Sequence, residues 1–264
     1  MSDSADAVIA ALRSGHDELA AAVRGYGEKE LTAPSGAADW DVSQVLSHLG
    51  SGAEIHLAAL DLSLEGKPNA GSDFNQGVWA RWNAMAPADR AEGFAAANDK
   101  LLERYESFDA QTRRELRIDM GFLPAPVDVA TAAGFRLSEY AFHSWDVRAG
   151  ADPAATLAPE AVPLLNTITP GMLGWIAKTD RLGGRTAVLR IETTDPDAVY
   201  GLRLSPEKVE LTDPPAEPDG VLRLPAEAWL RLLVGRLSPA HTPSSVETSG
   251  AADLDLLRDV FRGF

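Results

Sequence analysis

The chain has 264 residues, 45% of them hydrophobic, which is enough for one large or two modest domains with a real core. Its 24 Lys and Arg stand against 39 Asp and Glu, giving a formal charge of -15; with no basic patch to override it, nucleic acid is not an expected partner. There is no cysteine, so the chain has no disulfide framework, thiolate metal site or nucleophilic cysteine, and any sulfur chemistry must import its thiol.

The opening MSDSADAVIAALRSGHDEL is acidic where a secretory signal is basic, and no apolar run approaches the thickness of a bilayer. A cytoplasmic protein without a membrane partner is expected. Val8, Leu12, Leu19 and Val23 recur at helical spacing. A second helix is announced by Asp39, Trp40 and Asp41, carries apolar residues from Val42 to Leu62, and stops at Gly66 to Pro68. A polar loop then leads into Val78 to Met85, and beyond Pro87 a third helix is predicted from Ala88 to Tyr105. After a loop with Pro124 and Pro126 a fourth runs from Val127 to Arg148, closed by Gly150 and Pro153. Four such helices make a bundle.

Beyond this point the pattern changes. Pro159 to Lys178 reads as helical although Pro163 and Pro170 interrupt it, and strands are predicted at Thr186 to Thr193, Ala198 to Leu204, Lys208 to Leu211 and Val221 to Leu224. Pro225 opens an amphipathic helix from Ala226 to Val234, ending at Gly235. The fold class is therefore α+β, a four-helix bundle followed by a smaller α+β domain, with the break near Gly150 to Pro159.

Glu139 and His143 lie four apart on the fourth helix, on nearly one face and about 6 Å apart along its axis, so a carboxylate and an imidazole can grip one ion from the same side. His48 on the second helix offers a third ligand across the bundle, and two histidines with one carboxylate are a ligand set of catalytic zinc and non-haem iron. On spacing alone the bland alternatives stand beside this one: His48 as a core histidine, Glu139 as a helix-surface acid. His56, eight residues after His48, is a competing ligand. His16 and His241 are expected to be exposed, and Trp40 and Trp145 to be packing residues.

The stretch from Trp40 to Leu49, with Trp40, Val42, Val45, His48 and Leu49 in sequence, resembles the helix start of the mycothiol-dependent maleylpyruvate isomerase family, within the DinB-like metal-binding bundles. Glu139, His143, Trp145 and Asp146 resemble that family's second metal motif. The resemblance covers nearly the whole chain. It implies a DinB-like metal-binding bundle over residues 1–152 and a sterol-carrier-like α+β domain over 153–264. It also implies that His48, Glu139 and His143 hold Zn2+ or another divalent metal, with mycothiol as thiol cofactor or cosubstrate. Arg236, in Leu232 to Arg236, matches the family's functional arginine; its other reading is a charge well placed at a helix C-terminus. The implied function is zinc activation of a low-molecular-weight thiol for addition to a small, possibly anionic electrophile, by cis/trans isomerisation or S-transfer. The alternatives are a metal-dependent hydrolase of a thiol conjugate or amide, and a metal-free small-molecule binding protein. A monomer is expected.

Overall fold

The computed structural model describes residues 2–263 and divides into two compact units, Met1–Asp152 and Pro153–Phe264. The first contains α1 (Ser2–Val23), α2 (Glu28–Leu31), α3 (Val42–Leu64), α4 (Gly71–Asn83), α5 (Pro87–Glu106), α6 (Ala110–Glu115) and α7 (Val129–Ala149). Four long helices close a ring in which α1 packs on α7, α7 on α3, α3 on α5 and α5 back on α1. Leu46, Leu49, Leu60, Phe94, Leu101, Tyr105 and Trp145 fill it, each 1% exposed or less.

Local chemistry sets the helix starts that matter for the site. Asp41 caps α3 by accepting from Gln44 N at 2.8 Å, while the Gln44 side chain accepts from Asp41 N at 2.9 Å, a reciprocal box that fixes the phase of the helix carrying His48. Asp128 caps α7 through Thr131 N at 2.8 Å.

Three sequence expectations change here. The segment expected as a polar loop is mostly α4, which starts at Gly71, because Val78 and Trp82 continue a helical stripe onto α3. His16, expected to be exposed, is 2% exposed. It falls in the stripe of Leu12, Leu19 and Val23 and is tolerated there because Nε2 lies 3.2 Å from Asp99 Oδ1 and Nδ1 lies 3.3 Å from the Tyr140 hydroxyl. His56 is also in the core, sharing a 2.5 Å hydrogen bond with the Tyr105 hydroxyl. Burial first, then the charge of Arg136, pushes its imidazole down to about 3, so it stays neutral.

The second unit contains α8 (Val162–Ile168), α9 (Leu173–Ile176), β1 (Ala187–Thr194), β2 (Ala198–Leu204), β3 (Val209–Thr212), β4 (Gly220–Pro225), α10 (Ala226–Leu233), β5 (Glu247–Gly250) and α11 (Leu254–Val260). The sheet order is β3-β2-β1-β4-β5; β1 pairs parallel with β4 and every other pair is antiparallel. Leu189 and Ile191 alternate inward with Leu202, Leu204, Leu222 and Leu224, and this face forms one core with Trp229 and Leu232 of α10, Leu257 of α11 and Phe261. The region expected as one helix from Pro159 to Lys178 is broken into α8, a 3-10 turn at Thr169–Met172 that contains Pro170, and α9. Pro163 sits in the first turn of α8, where its missing N–H costs nothing. Among the described residues, no helix is long and apolar enough to cross a membrane.

Candidate metal centre

Helices α3 and α7 bring His48, Glu139 and His143 together. His48 Nε2 lies 2.9 Å from Glu139 Oε2, His143 Nε2 lies 3.7 Å from the same oxygen, and the two imidazole centroids are 4.5 Å apart. One ligand atom from each side chain falls within 4.8 Å of the other two. Tetrahedral zinc at bond lengths near 2.0 to 2.2 Å separates its ligand atoms by about 3.3 Å. The observed spacings straddle that value, so the donor set fits one divalent ion. The His48 and Glu139 side chains are 33% and 36% exposed, which leaves a solvent-facing side for a ligand that is not protein.

Two further groups complete the constellation. Asp146, 0% exposed and one turn beyond His143, places Oδ2 2.8 Å from His143 Nδ1. A carboxylate oxygen accepts, so this contact assigns the imidazole proton to Nδ1 and turns the Nε2 lone pair toward Glu139. Trp40, just before the α3 cap, lays its indole against both rings, stacked on His143 at 5.9 Å and 26° and tilted over His48 at 5.2 Å. Trp40, expected to pack, is 36% exposed and lies against the two imidazoles, while Trp145 is 1% exposed in the core. Burial pushes the Glu139 carboxyl up, but the His48 hydrogen bond, the charges of His143 and His48 when these imidazoles are protonated, and the charge of Arg136 outweigh it and hold the group down at about 2. Glu139 is a carboxylate at neutral pH.

A carboxylate that orients a ligating imidazole in this way is worth about 10- to 100-fold in metal affinity. Asp146→Asn is therefore expected to weaken zinc binding by that factor in a folded protein, read by competition with a chromophoric chelator; unchanged affinity would remove Asp146 from the site.

The other histidines lie elsewhere. His56 is bonded to Tyr105 and does not join the ligand group, so the competing-ligand expectation fails. His16, Asp17 and Asp99 also gather their donor atoms, but Arg13 Nη1 sits 2.8 Å from Asp99 Oδ1 and 3.7 Å from Asp17 Oδ1, already supplying the cation. His241 is half-buried, with Nδ1 donating to Pro153 O at 3.2 Å. Arg236 follows α10 in the second unit, half-buried, with its backbone N donating to Arg231 O at 2.7 Å and Nη1 to Val234 O at 3.2 Å.

Comparison with solved structures finds the crystal structure of the mycothiol-dependent maleylpyruvate isomerase, at TM-score 0.65 and 12% sequence identity, covering 94% of this chain and 95% of that one. A histidine-to-alanine mutant of the mycothiol-dependent maleylpyruvate isomerase matches with the same values. At that identity the likeness is one of fold, and it extends over both units. A comparison with curated proteins returns no significant match. The family model described as the mycothiol maleylpyruvate isomerase N-terminal domain matches residues 12–148, just over half of the 264 residues and a span that contains every residue of the candidate centre. The chain belongs to the mycothiol maleylpyruvate isomerase family.

Proposed function

We propose that this protein is a metal- and thiol-dependent enzyme, in which a divalent ion, zinc in the first instance, is held by His48, Glu139 and His143 and an external thiol, mycothiol, attacks a small electrophile. The observation that carries this reading is the convergence of three metal-ligating side chains from two helices, their donor atoms within 4.8 Å, on a half-exposed site. When bound, such an ion favours the thiolate over the thiol and so supplies a nucleophile at neutral pH.

The chain's own residues prepare that step. Glu139 is ionised before an ion arrives, so no carboxyl proton has to be displaced. His48 donates Nε2–H to the ionised Glu139 at 2.9 Å, and binding of an ion requires this proton to leave Nε2 so that its lone pair can ligate. Asp146 holds the His143 ring in the ligating tautomer, and Trp40 lies against both imidazoles.

For a substrate such as maleylpyruvate, the thiol gives up its proton to solvent, its sulfur bonds to one carbon of the conjugated double bond, and the pair of π electrons moves onto the carbonyl oxygen as an enolate. The former double bond, now single, rotates. Expulsion of the thiol restores the double bond in the other geometry and regenerates the thiol, a net isomerisation. If a proton instead fixes the adduct, the thioether is the product and the reaction is an S-transfer. Arg236, with its planar two-pronged guanidinium, is proposed to take a substrate carboxylate; Arg236→Ala then raises KM for an anionic substrate and leaves metal content unchanged.

The test is turnover of maleylpyruvate by the zinc-loaded full chain with and without mycothiol. Turnover only with thiol, and fumarylpyruvate as product, supports the isomerase form; a thioether supports transfer. Hydrolysis of a thiol conjugate or amide without added thiol would replace this reading by zinc activation of water.

A further inference from the structure

Arg136 is 4% exposed, in the interior of the bundle on α7. Its Nη2 donates to Leu49 O at 2.6 Å and to Asn98 Oδ1 at 2.7 Å, and the guanidinium carbon lies 5.8 Å from the Tyr140 ring centroid. All of these partners are uncharged, and Nε meets no acceptor. The fold nevertheless makes room for this side chain. Gly52 supplies a slot that a Cβ would close, at 2.9 Å from Nη1, and Asn98, 2% exposed, is committed to it.

A guanidinium buried among neutral groups is costly, and an apolar side chain of similar volume would remove the cost. Its position gives the charge a use. Arg136 is three residues before Glu139 on the same helix, where side chains are neighbours with about 5 to 6 Å between Cβ atoms. Its acceptor Leu49 directly follows His48 on α3. The cation therefore links α7 to α3, the two helices that carry the ligands. The desolvation that lowers its own pKa is opposed first by the charge of Glu139.

We propose that Arg136 sets the charge of the metal centre: a buried cation held beside Glu139, so that the loaded centre stays strongly positive and takes anionic ligands. The proposal rests on the metal reading above. The three ligands carry one negative charge, so a divalent ion leaves one positive charge, and Arg136 adds a second in a medium where charges are weakly screened. That environment favours a thiolate or a carboxylate over a neutral molecule, within a chain whose overall charge is -15. Two effects of opposite sign follow. Arg136 repels the ion it neighbours and attracts the anion that the ion binds. A side chain with a merely structural role would, on removal, weaken both.

The experiment measures zinc affinity by chelator competition and azide binding to the Co2+-loaded full chain by visible absorption, in the native protein, Arg136→Met and Arg136→Lys. Arg136→Met is expected to bind zinc about tenfold more tightly and azide about tenfold more weakly, the direction set by the lost positive charge. Arg136→Lys, which keeps the charge and loses the fork, is expected to match the native protein in both. A folded Arg136→Met that binds both as the native protein does, or both more weakly, overturns the proposal. Should Arg136→Met fail to fold, Arg136→Lys decides: native affinities support the charge role, and loss of both overturns it in favour of the hydrogen-bonded fork. A native protein that takes up no zinc at all would sink the metal reading itself, a result distinct from any of these.

Discussion

His48→Ala is expected to abolish tight zinc binding while leaving the protein folded. A four-ligand structural zinc contributes roughly 10 to 16 kcal/mol of apparent binding energy, so one protein ligand of three carries several kcal/mol, about a thousandfold in affinity. The His48 side chain is 33% exposed and its loss removes one 2.9 Å hydrogen bond and its ring contacts with Trp40 and His143, all at a partly exposed position, so little folding energy goes with it. His143→Ala is expected to lose zinc to the same degree and stability as well. Its side chain is 10% exposed and is hydrogen-bonded to the fully buried Asp146, and taking one partner from a buried polar pair costs about 1 to 3 kcal/mol. Chelator competition beside urea unfolding reads both quantities. A His48→Ala protein with native zinc affinity would remove His48 from the centre, and equal stability losses in the two variants would contradict the burial argument.

Trp82→Ala is expected to produce the largest stability loss away from the centre, about 3 to 5 kcal/mol, because it opens an indole-sized cavity. Trp82 is 3% exposed, and its Nε1 donates to Glu54 Oε2 at 3.1 Å. The ring lies so close to α3 that a Cβ on Gly50 would fall 2.1 Å from it, and Gly93 of α5 faces it at 3.1 Å. This docking seats α4 on the bundle. Gly50→Ala drives a methyl into the same ring and is expected to cost about 1 to 3 kcal/mol by overpacking. Equilibrium unfolding in urea measures both; a loss below about 1 kcal/mol in Trp82→Ala would mean that the site collapses around the gap.

How much was legible in the sequence varied with the kind of signal. The long helices were readable because their apolar stripes and caps agree: Asp41 before α3, Pro87 at the head of α5, and Gly150 after α7 each mark a boundary that the fold uses. The strands β1 and β4 alternate cleanly, β2 does so except where the buried Gly201 adjoins Leu202, and all three lie within a few residues of their expected spans. β5 and α11 were missed for a physical reason. β5 is a four-residue edge strand, exposed throughout, which has no alternation to read, and α11 has only seven residues. At the site, the i,i+4 pair of Glu139 and His143 was visible, and the motif resemblance brought His48 to it. Spacing alone could not separate His48 from His56, since both lie near one face of α3; the difference is that His56 meets Tyr105 across the core and His48 meets Glu139. Asp146 and Arg136 stand three residues after His143 and three before Glu139, so the helical signal for their roles was present. What the sequence lacks is the burial that makes an ordinary carboxylate and an ordinary arginine into interior charged groups beside the site. His16 was misread because a polar neighbourhood in sequence concealed its place in the stripe with Leu12 and Leu19.

The most direct test of the account is the metal content of the native full-length chain, measured by mass spectrometry after purification without chelators and again after incubation with zinc. About one zinc per chain, retained through dialysis and lost in His48→Ala, is the predicted result. A folded native protein that holds no metal and acquires none when zinc is supplied would contradict the account at its centre.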